Sequence, residues 1–267
     1  MHLHDKRVLI TGGSSGIGLA TAHQLVAKGA RVCVTGRRPE PLDRAVAALR
    51  AAGGDILGIV ADVGTDEGRA ATLVGASAFG GLDILINNAG GVRAGRLEDT
   101  SEAEIRAMVE VDLLAPILLT RMALPLLRAS GDGVVVNVAS GIALIGMPFY
   151  ATYAAAKAGL ARFGEALRRE LSGEGVHVMT VYPGATETPM MATNRAGPEL
   201  GFVRESANDV AVSLVEGLES RALEVIRGGE ARAAMARINQ DTPVVLDERF
   251  QALKPALAEA VRDHSAL

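Results

Sequence analysis

The 267-residue chain is 49% hydrophobic, yet only 3% aromatic and without tryptophan, so one sizeable core has to be built from Ala, Val, Leu and Ile. The formal net charge of −4 argues against a nucleic-acid or anionic-membrane partner. A single cysteine, Cys33, excludes an internal disulfide, and the five histidines show no ligand spacing beyond His2 and His4, so no metal is expected.

The first residues run into a strand-like segment without a signal-peptide h-region. The most apolar stretch, residues 113–127, is interrupted by Arg121 and two prolines. The expectation is a cytoplasmic protein with no membrane span.

From Arg7 onward, short β-branched runs alternate with longer Ala/Leu/Arg/Glu segments. Residues 7–11 predict the first strand, and 17–28 the first helix. Between them lies Thr11-Gly12-Gly13-Ser14-Ser15-Gly16-Ile17-Gly18. Glycines there let a diphosphate approach the backbone, and the helix N-terminus offers it free N–H groups. The same run also suits a plain turn, and it lacks the Lys-Ser/Thr of a P-loop.

The second strand, 31–35, ends at Gly36, where an acidic residue would bind an adenosine ribose; Arg37 and Arg38 follow. Guanidinium groups there suit a 2′-phosphate, or are simply solvated. A helix over 42–52 leads to a strand over 56–61, whose end carries Asp62 and Val63: a carboxylate near adenine, or a turn residue. A helix over 65–78 and a strand over 84–87 follow. The latter closes with Asn87-Asn88-Ala89-Gly90, fitting either a cofactor crevice or an Asn-rich turn.

A single long helix is predicted over 101–129, then a strand over 134–139 ending beside Ser140. The helix over 153–172 begins with Tyr153 and Lys157, four apart and so on one face. An ammonium there favours an ionised phenol. The spacing equally describes a half-buried Tyr beside a solvated Lys. The strand over 177–182 completes a strand–helix alternation that predicts a doubly wound parallel sheet. Residues 188–201, rich in Met, Pro and Gly, read as a mobile segment. A helix over 207–220 with Ser206 as N-cap, a strand over 223–227, and two more helices broken near Thr242-Pro243 end the chain.

The glycine motif, Asn87–Gly90, the Ser140/Tyr153/Lys157 set and Pro183-Gly184 with Thr188 resemble the short-chain dehydrogenase/reductase family, in order and at family spacing. The resemblance runs from Lys6 to about Gly229. It implies a Rossmann-like α/β domain over 1–229, with its substrate segment near 186–206 and a helical C-terminal extension over 230–267 of the same domain. It also implies a nicotinamide cofactor, NADP(H) favoured over NAD(H) on the strength of Arg37.

By the same resemblance, Tyr153 is the acid in reduction and the base in oxidation. Lys157 lowers its pKa and holds the nicotinamide ribose, and Ser140 polarises the substrate oxygen. Gly12, Ser14, Ser15, Gly16, Ile17, Gly18 and Thr188 belong to the diphosphate side. Asn88, Ala89, Gly90, Val111, Pro183, Gly184 and Thr186 line the ribose and nicotinamide. The chain departs from the family at Val111-Asp112-Leu113, where Asn is usual. Asp112 keeps the backbone carbonyl of a proton relay, but its carboxylate would stabilise Lys157 as a cation and weaken its effect on Tyr153.

The expected pocket residues, Ile142, Leu144, Tyr150, Met190, Met191 and Phe202 beside Ser140, are mostly apolar and suit an apolar ketone or secondary alcohol. No charged residue is clearly placed to clamp an anion, although Arg195 and Arg204 lie nearby in sequence. Tyr150 lacks a lysine four residues on and is read as a pocket wall. Homodimers or homotetramers are implied. The C-terminal extension covers the cleft, joins an interface or caps the domain. Alternative readings are a low-turnover dinucleotide-binding regulatory or scaffold protein, and a dehydratase or epimerase.

Overall fold

The computed structural model describes residues 1–267. In chain order it runs β1 (Arg7–Ile10), α1 (Gly16–Ala27), β2 (Arg31–Gly36), α2 (Pro39–Ala51), β3 (Ile56–Val60), α3 (Asp66–Ala78) and β4 (Ile84–Asn87). There follow β5 (Val92–Arg93), α4 (Glu102–Val109), α5 (Ala115–Ala129), β6 (Gly133–Val138), α6 (Ala151–Glu170) and β7 (Val176–Tyr182). The last part comprises β8 (Ala185–Glu187), β9 (Arg204–Ser206), α7 (Ala207–Ser220), β10 (Glu224–Ile226), α8 (Gly229–Asp241), α9 (Pro243–Val261) and β11 (Ser265–Ala266).

Seven strands form one parallel sheet in the order β10-β7-β6-β4-β1-β2-β3. The central strands are apolar on consecutive positions because helices cover both faces. Val8, Ile10, Val34, Ile86 and Val136 pack to one side, and Leu9, Cys33, Leu85 and Val135 to the other. Cys33 is one of these small core residues, and burial pushes its thiol up to about 12. The chain leaves β1 towards β2 and β3, then returns to place β4 against β1's other edge. That reversal opens a crevice at the carboxyl ends of β1 and β4.

The predicted strands and helices lie where expected, with ends moved by a residue or two, except α2, which starts earlier at Pro39. Ser206 caps α7 by accepting from the Asp209 amide at 3.0 Å. Ser101 and Glu104 form a capping box at the start of α4. One expectation needs correcting. The helix expected over 101–129 is divided by a π-turn, Glu110–Leu114, with Asp112 at its centre. A wider turn rotates the side chains it carries, and such turns mark functional sites.

Residues 188–201 hold two short 3₁₀ turns, Pro189–Met191 and Pro198–Leu200, framed by β8 pairing parallel with β9. The C-terminal extension lies over the cleft. Leu257 and Val261 of α9 share a cluster with Tyr150 and Phe202, and β11 pairs antiparallel with β5. No helix is long and apolar enough to cross a membrane.

Candidate active site

The crevice opens into a cleft of about 530 Å³ lined from Gly12 and Arg38 at one end to Met190, Phe202 and Leu267 at the other. At the glycine turn, Gly12 has φ +66°, and a Cβ on it would stand 2.9 Å from the Ala89 Cα. Gly16, at φ +54°, faces the Thr188 methyl, so this side approaches the loop after β8. The N-cap of α1, Ser15, makes no side-chain hydrogen bond, and the first-turn amides have no capping oxygen. These features fit a diphosphate: a backbone cradle that a Cβ would fill, at the positive end of a twelve-residue helix.

The Asn87–Gly90 segment locks this loop. Thr11 Oγ1 accepts from the amides of Asn88 and Ala89, both at 3.0 Å. The Asn88 side chain donates to the carbonyls of Thr11 and Gly12 at 2.9 and 3.2 Å. Asn88 thus positions the glycine turn while also lining the cleft. Asn87 points into the core and donates to Thr120 and Asn137. Gly18 lies beneath the loop and outside the cleft, against Asn88 and Gly12.

Beyond the end of β2, Arg37 and Arg38 are exposed, line the cleft and form no ion pair. Ser14 stands beside them, with its Oγ 3.0 Å from where a Gly36 Cβ would be. Asp62 and Val63 line the same end, and the Asp62 carboxylate accepts from the Gly64 amide at 2.9 Å, as a turn residue does.

Ser140, Tyr153 and Lys157 meet in the middle of the cleft. Ser140 ends the β6 segment and accepts from the Ile142 amide at 3.3 Å. Phe149, at the left-handed φ of +71°, directly precedes Tyr150, the N-cap of the helix α6 that carries Tyr153 and Lys157. Lys157 Nζ lies 5.9 Å from the Tyr153 ring centre, donates to the Val138 carbonyl at 3.1 Å, and stands 3.1 Å from Asp112 Oδ1. Asp112 lies behind Lys157, outside the cleft lining, and also accepts from the Gly91 amide at 3.3 Å. Gly90 is tied to this pair, because a Cβ on it would come within 2.6 Å of Asp112 Oδ1.

Burial holds the Tyr153 phenol above its ordinary pKa. Lys157 and the nearby Ser140 hydroxyl pull it down, while the Asp112 carboxylate pushes it up. For Lys157, burial favours loss of the proton, but Asp112 and Tyr153 outweigh it, and the ammonium is held more firmly than in water. Burial raises the Asp112 carboxyl, opposed by Lys157 and the Gly91 N–H.

The apolar part of the cleft is walled by Ile142, Met147, Tyr150, Met190, Met191, Phe202 and Leu267. Leu144 is not among them; its carbonyl faces α8 and accepts from Asn239 at 3.4 Å. The Tyr150 ring is a wall, and its hydroxyl contacts His264 Nδ1 at 2.8 Å and receives Asn194 Nδ2 at 2.9 Å. His264 is held at its other nitrogen by the Met190 carbonyl, 3.1 Å away, and burial lowers its pKa.

Besides Lys157, one further cation that its sequence position does not point to, Arg232 of α8, lines the cleft. Arg195 and Arg204 are engaged elsewhere, with Asp263 and with the Asn194 carbonyl. Arg232, Asn194 and His264 were not legible in the motifs, since long-range packing alone brings them to the site. The one local hint is Gly141, directly after Ser140, where a side chain would collide with the Arg232 guanidinium.

A doubly wound sheet with a glycine-rich crevice, and a Ser/Tyr/Lys set in the cleft it opens into, is the arrangement of a dinucleotide-dependent oxidoreductase. Residues 6–199 match the short chain dehydrogenase family. The ketoacyl reductase HetN of a Nostoc species is 36% identical over 227 residues, covering 84% of this chain and 79% of its own. A short chain dehydrogenase from Burkholderia cenocepacia, solved in complex with NADP, is 35% identical with a TM-score of 0.77 over 85% of this chain and 97% of the other. A short chain dehydrogenase/reductase from Burkholderia phymatum, solved with NAD, shares the fold at a TM-score of 0.82 and 24% identity, over 92% of this chain and 96% of the other. The chain belongs to the short-chain dehydrogenase/reductase family and is an NAD(P)-dependent oxidoreductase of small molecules.

Proposed function

We propose that this protein interconverts a carbonyl and a secondary alcohol with NADP(H), using Tyr153 as acid and base. The carrying observation is the convergence of Ser140, Tyr153 and Lys157 on the cleft between the glycine loop and the apolar wall. When bound, the cofactor supplies or accepts the hydride. Ser140 holds and polarises the substrate oxygen, and the Tyr153 phenol gives it a proton in reduction and takes one in oxidation. Lys157, fixed by the Val138 carbonyl and Asp112, favours the phenolate and holds the nicotinamide ribose. Ketoacyl reduction, the reaction HetN is named for, is of this type.

The glycine turn, Ser15, Ile17 and Thr188 hold the diphosphate in this reading, and Ala89, Gly90, Val111, Pro183, Gly184 and Thr186 the nicotinamide end. The preference for NADP(H) rests on Arg37 and Arg38, free of carboxylate partners beside Ser14. Fluorescence titration with NADPH and NADH, followed by a panel of ketones read at the nicotinamide absorbance, tests both parts. Tighter binding of NADH would overturn the role of Arg37.

A second reading, a dinucleotide-binding protein of low turnover, is favoured by one observation: Asp112 holds Lys157 at 3.1 Å and offsets its charge next to Tyr153. Tight NADPH binding without turnover across the panel would support it. Self-association through α4, the π-turn and α5 is supported by the exposed side chains of Val109, Leu114 and Met122, one in each; sedimentation tests it.

A further inference from the structure

We infer that Arg232 binds a carboxylate on the substrate, so that this enzyme acts on an oxo or hydroxy acid with an apolar body. The inference rests on the carbonyl–alcohol reading and specifies its substrate class.

The room for the Arg232 side chain comes from three glycines in separate segments. A Cβ on Gly141 would collide with Nη1, one on Gly228 would lie 2.7 Å from Nε, and one on Gly184 would lie 3.4 Å from Nη2. Gly141 directly follows Ser140, and consecutive Cα atoms are about 3.8 Å apart. The guanidinium therefore packs against the residue that follows Ser140, and the Ser140 and Arg232 side chains both line the one cleft. It is at the opposite end of the cleft from Arg37 and Arg38, so a cofactor 2′-phosphate is not its partner.

This cation has no partner of its own. Its side chain makes no ion pair and no hydrogen bond, and Nε is buried and unsatisfied. Buried polar groups are nearly always paired, and one that is not marks a ligand site or a strained one. The nearest acid, Glu205, is engaged: Oε2 pairs with Arg227 at 2.7 Å, and Oε1 accepts from the Gly184 amide at 3.2 Å.

Burial lowers the Arg232 pKa, and Glu205 offsets this only in part. Arg232 also sits in the first turn of α8, whose N-cap Gly228 has no side chain to cap the amides. A cation there is opposed by the helix dipole, so both fields favour an anion in front of them.

A guanidinium in this position matches the planar fork of a carboxylate better than a point charge would. Ile142, Met147, Met190, Met191 and Phe202 supply the apolar surface for the remainder of the molecule. Because Ser140 and Arg232 line one cleft, the probes span short and longer separations between carbonyl and carboxylate. The carboxylate takes no part in the bond changes; it orients the carbonyl.

Calorimetry on the protein saturated with NADP⁺, which cannot reduce a ketone, separates recognition from turnover. The probes are 4-oxopentanoate, benzoylformate and 3-benzoylpropionate, each against its methyl ester. The expected result is at least one acid bound about ten- to a hundredfold more tightly than its ester, a typical range for a charge-assisted pair. Arg232→Gln abolishes the preference, Arg232→Lys restores part of it, and both keep the wild-type melting temperature and NADPH affinity. Equal affinity for acid and ester, binding of neither, or a preference that survives Arg232→Gln overturns the assignment. Failure of the carbonyl–alcohol reading would look different: NADPH would not be consumed with any acid or ester, whatever the binding preference.

Discussion

The Lys157 ammonium lies 3.1 Å from Asp112 Oδ1, with both side chains closed to solvent. A buried pair of this kind is weak evidence for stability, because desolvation offsets much of the attraction. Its consequence here is electrostatic: Asp112 holds Lys157 charged and at the same time raises the Tyr153 pKa.

Replacing Asp112 by Asn removes that opposing charge, so the Tyr153 pKa falls. In the proposed mechanism alcohol oxidation needs the ionised Tyr153 phenol, so its rate rises with pH through that pKa. The rising limb of kcat against pH is therefore expected to move to lower pH in Asp112→Asn. A shift of one unit, worth about 1.4 kcal/mol, gives roughly tenfold faster oxidation at neutral pH. Superimposable wild-type and variant profiles would show that Asp112 does not act through Tyr153.

Tyr150 is expected to be a wall and not the acid. Its hydroxyl is occupied by His264 and Asn194, and burial raises its pKa well above the ordinary tyrosine value. Tyr150→Phe should keep kcat within a few-fold while lowering stability by about 1 kcal/mol, the worth of a typical hydrogen bond. Steady-state kinetics with a thermal melt checks this, and a loss of turnover near that of Tyr153→Phe would reassign the acid.

Arg37 is expected to carry the discrimination between NADPH and NADH. Arg37→Ala should weaken NADPH binding about ten- to a hundredfold, as loss of one charge-assisted contact does, and leave NADH nearly unchanged. Equal weakening of both cofactors would mean that Arg37 contacts something common to the two.

At the opposite end of the sheet, Arg7 grips Asp83 with Nε–Oδ2 at 2.7 Å and Nη2–Oδ1 at 2.8 Å. Burial opposes ionisation of Asp83, but the hydrogen bonds and charge of Arg7 outweigh it and hold the carboxyl below the ordinary aspartate value. A depressed folded-state pKa adds stability that is present above the unfolded value, near 4, and is lost as pH falls through the folded one. Asp83→Asn should therefore cost about 1–3 kcal/mol at neutral pH and progressively less below pH 4. Denaturant melts across that range check the sign.

Much of this fold is legible locally. Strands β1, β2, β4 and β6 are apolar on consecutive positions, and the Gly12–Gly18 turn and Asn87–Gly90 carry their own chemistry. The sequence is less informative where distant residues decide. Residues 101–129 read as one helix because nothing local marks the π-turn that brings Asp112 to Lys157. Residues 188–201 read as a mobile segment because the contacts that order them come from β9 and the C-terminal extension. Arg232 could not be foreseen, since its place is made by glycines at 141, 184 and 228.

The most direct test of the central claim is NADPH oxidation by wild type and Tyr153→Phe over the same ketone and oxo-acid panel, with NADPH affinity measured alongside. Turnover by the wild type is expected, with a loss of about a thousandfold in Tyr153→Phe, within the range of acid–base catalysis, and unchanged NADPH binding. Turnover that persists in Tyr153→Phe would contradict it.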